Sequence, residues 1–167
     1  FEQRLTNRSF VANELLSTQA KITLDDFIDI KFNHSYSENS RQYRYLMKLA
    51  ENNPSIAETV WSWDRQTDFK NKRAGYNSCL MAHEWLSEMN AQPIPETEDV
   101  ISNCKDWFIE INRKQTDEWE KITTITRLGR SYAIQGSVDT LRAVYGTPNA
   151  QTKSIDMSGG DGLFYII

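Results

Sequence analysis

The residue types best suited to metal chemistry lie close together in one stretch of the chain. His83 and Glu84 open an H-E-x-x-x run, the beginning of a zinc-protease motif, but Ser87 stands where the second histidine would have to be. Cys79 precedes His83 by one helical turn, and Cys104 is the other cysteine. These residues could surround a metal ion, or the cysteines could be buried thiols or form a disulfide bond. Because no fourth ligand stands in an obvious position, we predict no metal site and no cofactor.

The other motifs of common enzymes are absent from the sequence. It contains no glycine-rich phosphate loop, no G-x-S-x-G nucleophile motif and no carboxylate pair with a catalytic histidine. Its formal net charge of −4 argues against nucleic acid as a partner. No apolar stretch approaches the roughly 18–20 residues that a membrane span requires. Taken alone, the residues describe a scaffold without catalytic apparatus.

Apolar residues recur at helical spacing over about two thirds of the chain. Thr23 is a predicted N-cap, because Asp25 and Asp26 would occupy the first turn after it. Pro54 fits the first turn of a further helix. Helices are predicted over 8–18, after Thr23, over 41–51, from Pro54, over 73–89 and over 100–111.

Beyond Trp119 the composition shifts toward Thr, Ile and Tyr, which favours strands or extended loops. We predict a short helix over 137–146, closed by Gly146. We also predict two strands, over 152–157 and 163–167, on either side of a turn at Gly159 and Gly160. Two short strands make a poor sheet by themselves, so we expect them to join a sheet supplied by something else.

The predicted fold is therefore mainly α. A helical region over 1–118 precedes a small mixed α/β tail over 119–167, and we expect the two to form a single structural unit.

Three stretches resemble the penicillin acylase family, most closely its acyl-homoserine lactone acylases. The first, NRSFVANELLSTQAKITLDDFIDIKFNHSYS at 7–37, has an Arg-led helix ending in a Leu pair and then a T-x-D-D helix. The second is WSWD at 61–64. The third, over 118–167, contains an Arg-Leu, the run DTLRAVY and a glycine-flanked Asp before an apolar run. The matches stand in the family's order and extend from about Asn7 to Ile167, and the middle of the chain, 68–116, has no matching motif.

The resemblance implies an internal segment of the large chain of a self-processing N-terminal-nucleophile hydrolase. A Ser, Thr or Cys at the start of that large chain would attack an amide, with its own α-amino group as the base. That nucleophile and the oxyanion-hole Asn would lie outside this segment, which alone would be inactive. The tail strands would join the central sheet of an αββα fold. The implied partners are the rest of the precursor and a small acyl amide, such as an N-acyl-homoserine lactone or a penicillin, and the implied location is periplasmic or secreted.

Arg8 is the residue to which the resemblance assigns a supporting catalytic role. In the family, the arginine eight residues before the second Leu of the pair, here Leu16, helps to orient the nucleophile and the oxyanion-hole Asn. A guanidinium suits this role because its rigid fork of donors stays charged. The alternative for Arg8 is an ordinary surface ion pair at a helix start. For the whole chain the alternatives are a non-catalytic α-helical protein-interaction module and, ranked last, a small metal-binding regulator.

Overall fold

The computed structural model describes residues 5–18 and 20–160, in which seven helices precede and adjoin four strands. The helices are α1 (Asn7–Ser17), α2 (Leu24–Lys31), α3 (Arg41–Glu51), α4 (Pro54–Trp61), α5 (Ala74–Met89), α6 (Thr97–Glu110) and α7 (Trp119–Ile122). The strands are β1 (Thr123–Arg127), β2 (Arg130–Ala133), β3 (Val144–Asn149) and β4 (Ser154–Gly160). Among the described helices, none combines the length and the apolar character needed to cross a bilayer.

The helix starts at Thr23 and Pro54 follow the predicted capping chemistry, and Ser40 is a further cap that the sequence analysis does not predict. The Thr23 side chain accepts a hydrogen bond from the Asp26 N–H, and the Asp26 carboxylate accepts one from the Thr23 N–H, so that α2 begins with a capping box. Ser40 caps α3 by accepting from the Tyr43 N–H, and Pro54 is the first residue of α4. The helices predicted over 8–18, 41–51 and 73–89 are confirmed to within one residue at each end.

The four strands form one mixed sheet in the order β2-β1-β4-β3. β1 and β2 pair as an antiparallel hairpin, β3 and β4 pair antiparallel, and β1 runs parallel to β4. The tail therefore contributes a sheet of four strands, where only two strands were expected from the sequence. Less than half of the described residues are helical, so the predicted two thirds is too high for them and the fold combines helices with a small mixed sheet.

The helix predicted over 137–146 is wrong. The chain makes turns after Ser137 and enters β3 at Val144. Gly146 lies inside that strand, where a Cβ atom would come within 2.4 Å of the Asp156 carbonyl oxygen. The glycine thus permits a close approach of β3 to β4 and does not close a helix. Val144 and Tyr145 have the β-branched and aromatic side chains that strands favour, and pairing with β4 outweighs the helical spacing of the preceding residues.

The turn predicted at Gly159 and Gly160 is also wrong, because both residues continue β4. Gly160 lies where a Cβ atom would come within 2.7 Å of the Ala143 carbonyl oxygen, so close strand contact again accounts for the glycine. The first predicted strand, over 152–157, is confirmed in part by β4. The second, over 163–167, lies outside the described residues.

One buried cluster joins the helices to the sheet. Tyr76 and Leu80 of α5 lie in it together with Trp119 of α7 and Met157 of β4. Gly75 lets α5 approach α7 closely, since a Cβ atom there would meet the Ile122 Cδ1 at 2.6 Å. The described helices from α3 onward and the sheet therefore share one hydrophobic core.

Candidate functional site

A buried carboxylate, Asp139, occupies the centre of a polar cluster in the described part of the chain. It lies in the turns between β2 and β3, is 1% exposed, and has a left-handed backbone with φ of 56°. Aspartate tolerates this conformation better than most residues do. The Thr140 hydroxyl fixes the turn by accepting from the Ser137 N–H at 3.2 Å and lying 2.8 Å from the Arg142 carbonyl oxygen, to which it can donate.

Both oxygens of the Asp139 carboxylate accept hydrogen bonds. Oδ1 accepts from the Arg8 Nε at 3.0 Å, and Oδ2 accepts from the Asn7 backbone N–H at 2.8 Å and the Gln42 Nε2 at 2.7 Å. The Asn7 side-chain amide also donates to the Asp139 carbonyl oxygen at 3.0 Å. The buried charge is therefore surrounded by donors from α1 and α3, as a buried ion requires.

The Asp139 carboxylate lies at the N-terminus of helix α1. Thr6 is the N-cap and accepts from the Ser9 N–H, so Asn7 is the first helical residue and its N–H has no partner within the helix. The partial positive charge of a helix N-terminus favours an anion at this place. The Asn7 Oδ1 accepts from the Ser37 N–H at 2.9 Å and ties the segment before α3 to the same cluster.

The guanidinium of Arg8 spans the buried interior and the surface. Its side chain is 43% exposed, its Nε donates to Asp139, and its Nη2 donates to the Tyr145 hydroxyl at 2.9 Å. The Tyr145 ring stacks on Trp85, with ring centroids 5.0 Å apart and planes at 16°. Burial by itself would lower the pKa of Arg8, but the hydrogen bonds to Asp139 and Tyr145 outweigh it and raise the pKa. Arg8 is therefore charged at every physiological pH.

One edge of that guanidinium makes no hydrogen bond to the described residues. An arginine has five N–H donors, and Nε and Nη2 make the two contacts described above. Among the described residues, Nη1 has no hydrogen-bond acceptor. The arrangement can therefore hold one edge of a cation rigidly against Asp139 and Tyr145 while the other edge can bind a carbonyl, carboxylate or amide oxygen.

Two aromatic residues connect this cluster with the end of α4. The buried Tyr36 hydroxyl donates to the Val138 carbonyl oxygen at 2.5 Å, next to Asp139. Its ring lies 5.7 Å from that of Trp63, and the Trp63 indole N–H donates to the Gln66 carbonyl oxygen at 3.0 Å. Burial raises the pKa of Tyr36, so its phenol stays protonated and acts as a donor.

A second carboxylate, Glu84, lies near the cluster on α5. It is 4% exposed and forms an ion pair with Arg41, which also lies 3.4 Å from Glu88. Burial raises the pKa of Glu84, and the Arg41 charge only partly offsets it. Burial, helped by the Glu84 charge, raises the pKa of Tyr45 to about 12. The Glu84 Oε2 has no hydrogen-bond partner among the described residues.

The two cysteines form a disulfide bond, which resolves the alternatives that the sequence leaves open. Cys79 on α5 and Cys104 on α6 are buried, with Cα atoms 5.8 Å apart. Their sulfur atoms and a ring nitrogen of His83 all lie within 4.8 Å of one another. A metal site needs thiolates as ligands, and here both sulfurs are bonded to each other. Burial lowers the pKa of His83, so its imidazole is neutral beside the disulfide.

The structure thus places the predicted Arg8 within a cluster that the sequence did not predict. Asp139 and Tyr145 were assigned to the helix over 137–146, so nothing marked them as partners of a residue more than 130 positions away. Asn7 and Gln42 carry no motif of their own. No sequence signal marks Asp139, because its burial and its donors are visible only in the structure.

No protein-family model matches the chain, and no curated protein matches it.

Proposed function

We propose that this chain is part of an amide hydrolase of the penicillin acylase type. It would take part in cleaving an acyl group from an amide such as an N-acyl-homoserine lactone or a penicillin. The observation that carries the proposal is the meeting of the three stretches that resemble the family. Arg8 contacts Asp139, Tyr36 contacts Val138, and Trp63 packs beside Tyr36. The first and third stretches are separated by about 80 residues of chain and still form one polar cluster.

Arg8 would have the supporting role in this reaction. Its pKa is raised and one edge of its guanidinium is fixed, so it offers a permanent positive charge at a defined place. Such a group can orient the nucleophile and the oxyanion-hole Asn without reorganising during the reaction. The nucleophile and that Asn would come from the rest of the precursor, and the 167 residues alone would be inactive.

The fold is compatible with a place in a larger αββα domain. The mixed sheet would form part of the central sheet, with 1–118 as the helical region and 119–167 as the tail that carries the strands. The Cys79–Cys104 disulfide is of the kind that persists in oxidising compartments. This agrees with the periplasmic or secreted location that the resemblance implies.

The second candidate is a non-catalytic α-helical interaction module, and exposed apolar side chains favour it. Helix α2 has no buried residue and leaves Leu24 and Phe27 56% and 42% exposed. Trp61 at the end of α4 is 59% exposed. A protein partner would cover these side chains, but so would the rest of an acylase precursor.

Hydrolysis by the full-length protein decides between the two candidates. The protein made from the complete gene is incubated with N-acyl-homoserine lactones of several acyl lengths and with penicillins, and the released amine is quantified. We expect hydrolysis of at least one substrate, and a loss of about 10²-fold in kcat/KM for Arg8→Ala. The exposed Arg44→Ala is the matched control and should retain full activity. Absence of hydrolysis with every substrate would contradict the acylase proposal and favour the interaction module.

A further inference from the structure

We propose that Asp139 is a positioning residue for that reaction: it fixes one edge of the Arg8 guanidinium, so that the edge without an acceptor among the described residues can bind a reacting group of the precursor. The inference rests on the proposed function and adds to it a residue that the resemblance does not name. Asp139 would not touch the substrate. It would act through Arg8, with Tyr145 as the second point of attachment.

The Asp139 carboxylate is itself held in one orientation. Its Oδ2 accepts from the Asn7 N–H of α1 and from the Gln42 amide of α3, so rotation of the carboxylate would break contacts with two helices. Its backbone is held by the Asn7 side chain and by the turn that Thr140 closes. Oδ1 is therefore presented to the Arg8 Nε at a fixed place and angle.

Tyr145 fixes the plane of the guanidinium. Nε and Nη2 lie along one side of an arginine head group, and here they contact Asp139 and Tyr145 respectively. Two contacts on one side define both the position and the rotation of the head group. The stacked Trp85 restrains the Tyr145 ring in turn. The remaining edge, which carries Nη1, then points in a single direction.

Stability requires donors around the Asp139 carboxylate, but it does not require that one of them be a partly exposed arginine. A pair in which the arginine is 43% exposed contributes little to folding, and two other donors already solvate the carboxylate. A further oxygen ligand requires donors at the edge of an ordered cation, and the Nη1 donors of Arg8 have no acceptor in the part of the chain that the structure describes. The cluster is therefore arranged like a preorganised catalytic site: Asp139 and Tyr145 form a rigid support, and the Arg8 guanidinium is the group that faces solvent.

A double-mutant cycle on the full-length, self-processed enzyme tests the assignment. Asp139→Asn, Arg8→Lys and the combination are compared with the wild type for kcat and KM on the best acyl amide. We expect Asp139→Asn to lower kcat by about 10²-fold, since a small misplacement of a positioned group costs that much, with KM within threefold. The double variant should be no worse than Arg8→Lys within threefold, because Asp139 acts only through Arg8.

Asp156→Asn provides the matched control. Its carboxylate accepts from the Thr126 N–H at 3.2 Å in the sheet, and its kcat should stay within twofold of the wild type. Each variant is first checked for processing and for a wild-type circular dichroism spectrum. Where Asp139→Asn fails to fold, Tyr145→Phe replaces it in the same cycle with Arg8→Lys, with an expected loss of about fivefold in kcat on the same grounds.

Three outcomes overturn the inference. A folded Asp139→Asn variant with wild-type kcat would show that the carboxylate is not needed. Losses that multiply in the double variant would show that Asp139 acts independently of Arg8, as a purely structural residue would. A wild-type enzyme without any hydrolytic activity would remove the reaction itself, and this failure is distinguishable because it precedes every substitution.

Discussion

Two clusters of residues with reactive side chains can be compared: the Arg8–Asp139–Tyr145 cluster and the Cys79–His83–Cys104 cluster. In the second, the residue types suggest a metal site, and the geometry brings all three together within 4.8 Å. The disulfide nevertheless uses both sulfurs. In the first, no motif predicts the partners, yet the assembled cluster leaves a charged group partly exposed, and its Nη1 donors have no acceptor within the described residues.

The difference teaches that proximity of reactive residue types is a weaker sign of function than unused bonding capacity. The disulfide crosslinks α5 to α6 within the core, so both sulfur atoms are used in a bond that stabilises the fold. The Asp139 carboxylate is equally buried, but its role is to hold a second group at the surface. Substitutions in the two clusters should therefore have different effects, and four measurements test this difference.

The largest effect on stability is expected from Asp139→Ala. Removing the carboxylate leaves the Gln42 amide, the Asn7 N–H and the Arg8 guanidinium without their acceptor, and breaking a buried charge cluster typically costs about 4 kcal/mol. Urea unfolding measures the loss in the free energy of unfolding. Asp156→Ala, in the sheet, should lose no more than about 1 kcal/mol. Equal losses in the free energy of unfolding for the two variants would contradict the view that the Asp139 carboxylate contributes more to stability than that of Asp156.

Loss of the disulfide should cost slightly less. Replacing both Cys79 and Cys104 by Ala is expected to lower the free energy of unfolding by about 3 kcal/mol, since the bond closes a loop with a sequence separation of 25. A reductant should destabilise the wild type by a similar amount and leave the double variant unchanged. If Zn²⁺ restored the stability of the reduced wild type, the second cluster would retain an open metal site and the contrast would fail.

A smaller effect is expected from Tyr145→Phe. The variant removes the hydroxyl that accepts from the Arg8 Nη2 but keeps the ring stacked on Trp85, so we expect a loss of about 1 kcal/mol in urea unfolding. Tyr132→Phe is the control, because Tyr132 lies on β2 and is 54% exposed. A loss as large as that of Asp139→Ala would mean that the stacked pair, and not the carboxylate, supports the cluster.

The smallest effect is confined to acidic solution and concerns His83. Burial lowers the pKa of His83 in the folded chain, so below its ordinary value of 6.5 the unfolded chain binds the extra proton first. Stability should therefore fall as the pH drops below about 6.5, and His83→Gln should reduce that fall. The pH dependence of urea unfolding measures it. His34 has a pKa lowered by burial as well, so only the double His→Gln variant should remove both contributions, and an unchanged slope in it would contradict the assignment.

The helices were predictable because their signals are local. Thr23, Ser40 and Pro54 each stand at the first turn of a helix, and the apolar spacing of 41–51 is regular. Capping and periodicity depend on residues three or four positions apart, which a sequence displays directly. The starts of α2 to α4 therefore agree with prediction or lie close to it.

The sheet and the candidate site were not predictable in the same way because their contacts are distant in sequence. The run DTLRAVYG has helical spacing. In the structure, however, the end of this run pairs with β4, and the start of the run forms a turn that places Asp139 against α1. Strand pairing and a buried ion both depend on partners that no local window contains. Arg8 could be singled out only through the resemblance, and its partners only through the structure.

Intact-mass analysis with N-terminal sequencing, applied to the protein made from the complete gene, tests the central proposal most directly. The acylase account predicts two chains, the larger beginning with Ser, Thr or Cys and containing Arg8 and Asp139 in its interior. That result would mean that the cluster belongs to a self-processed hydrolase. A single unprocessed chain would contradict the account and leave the Arg8–Asp139 cluster as a structural feature of a helical interaction module.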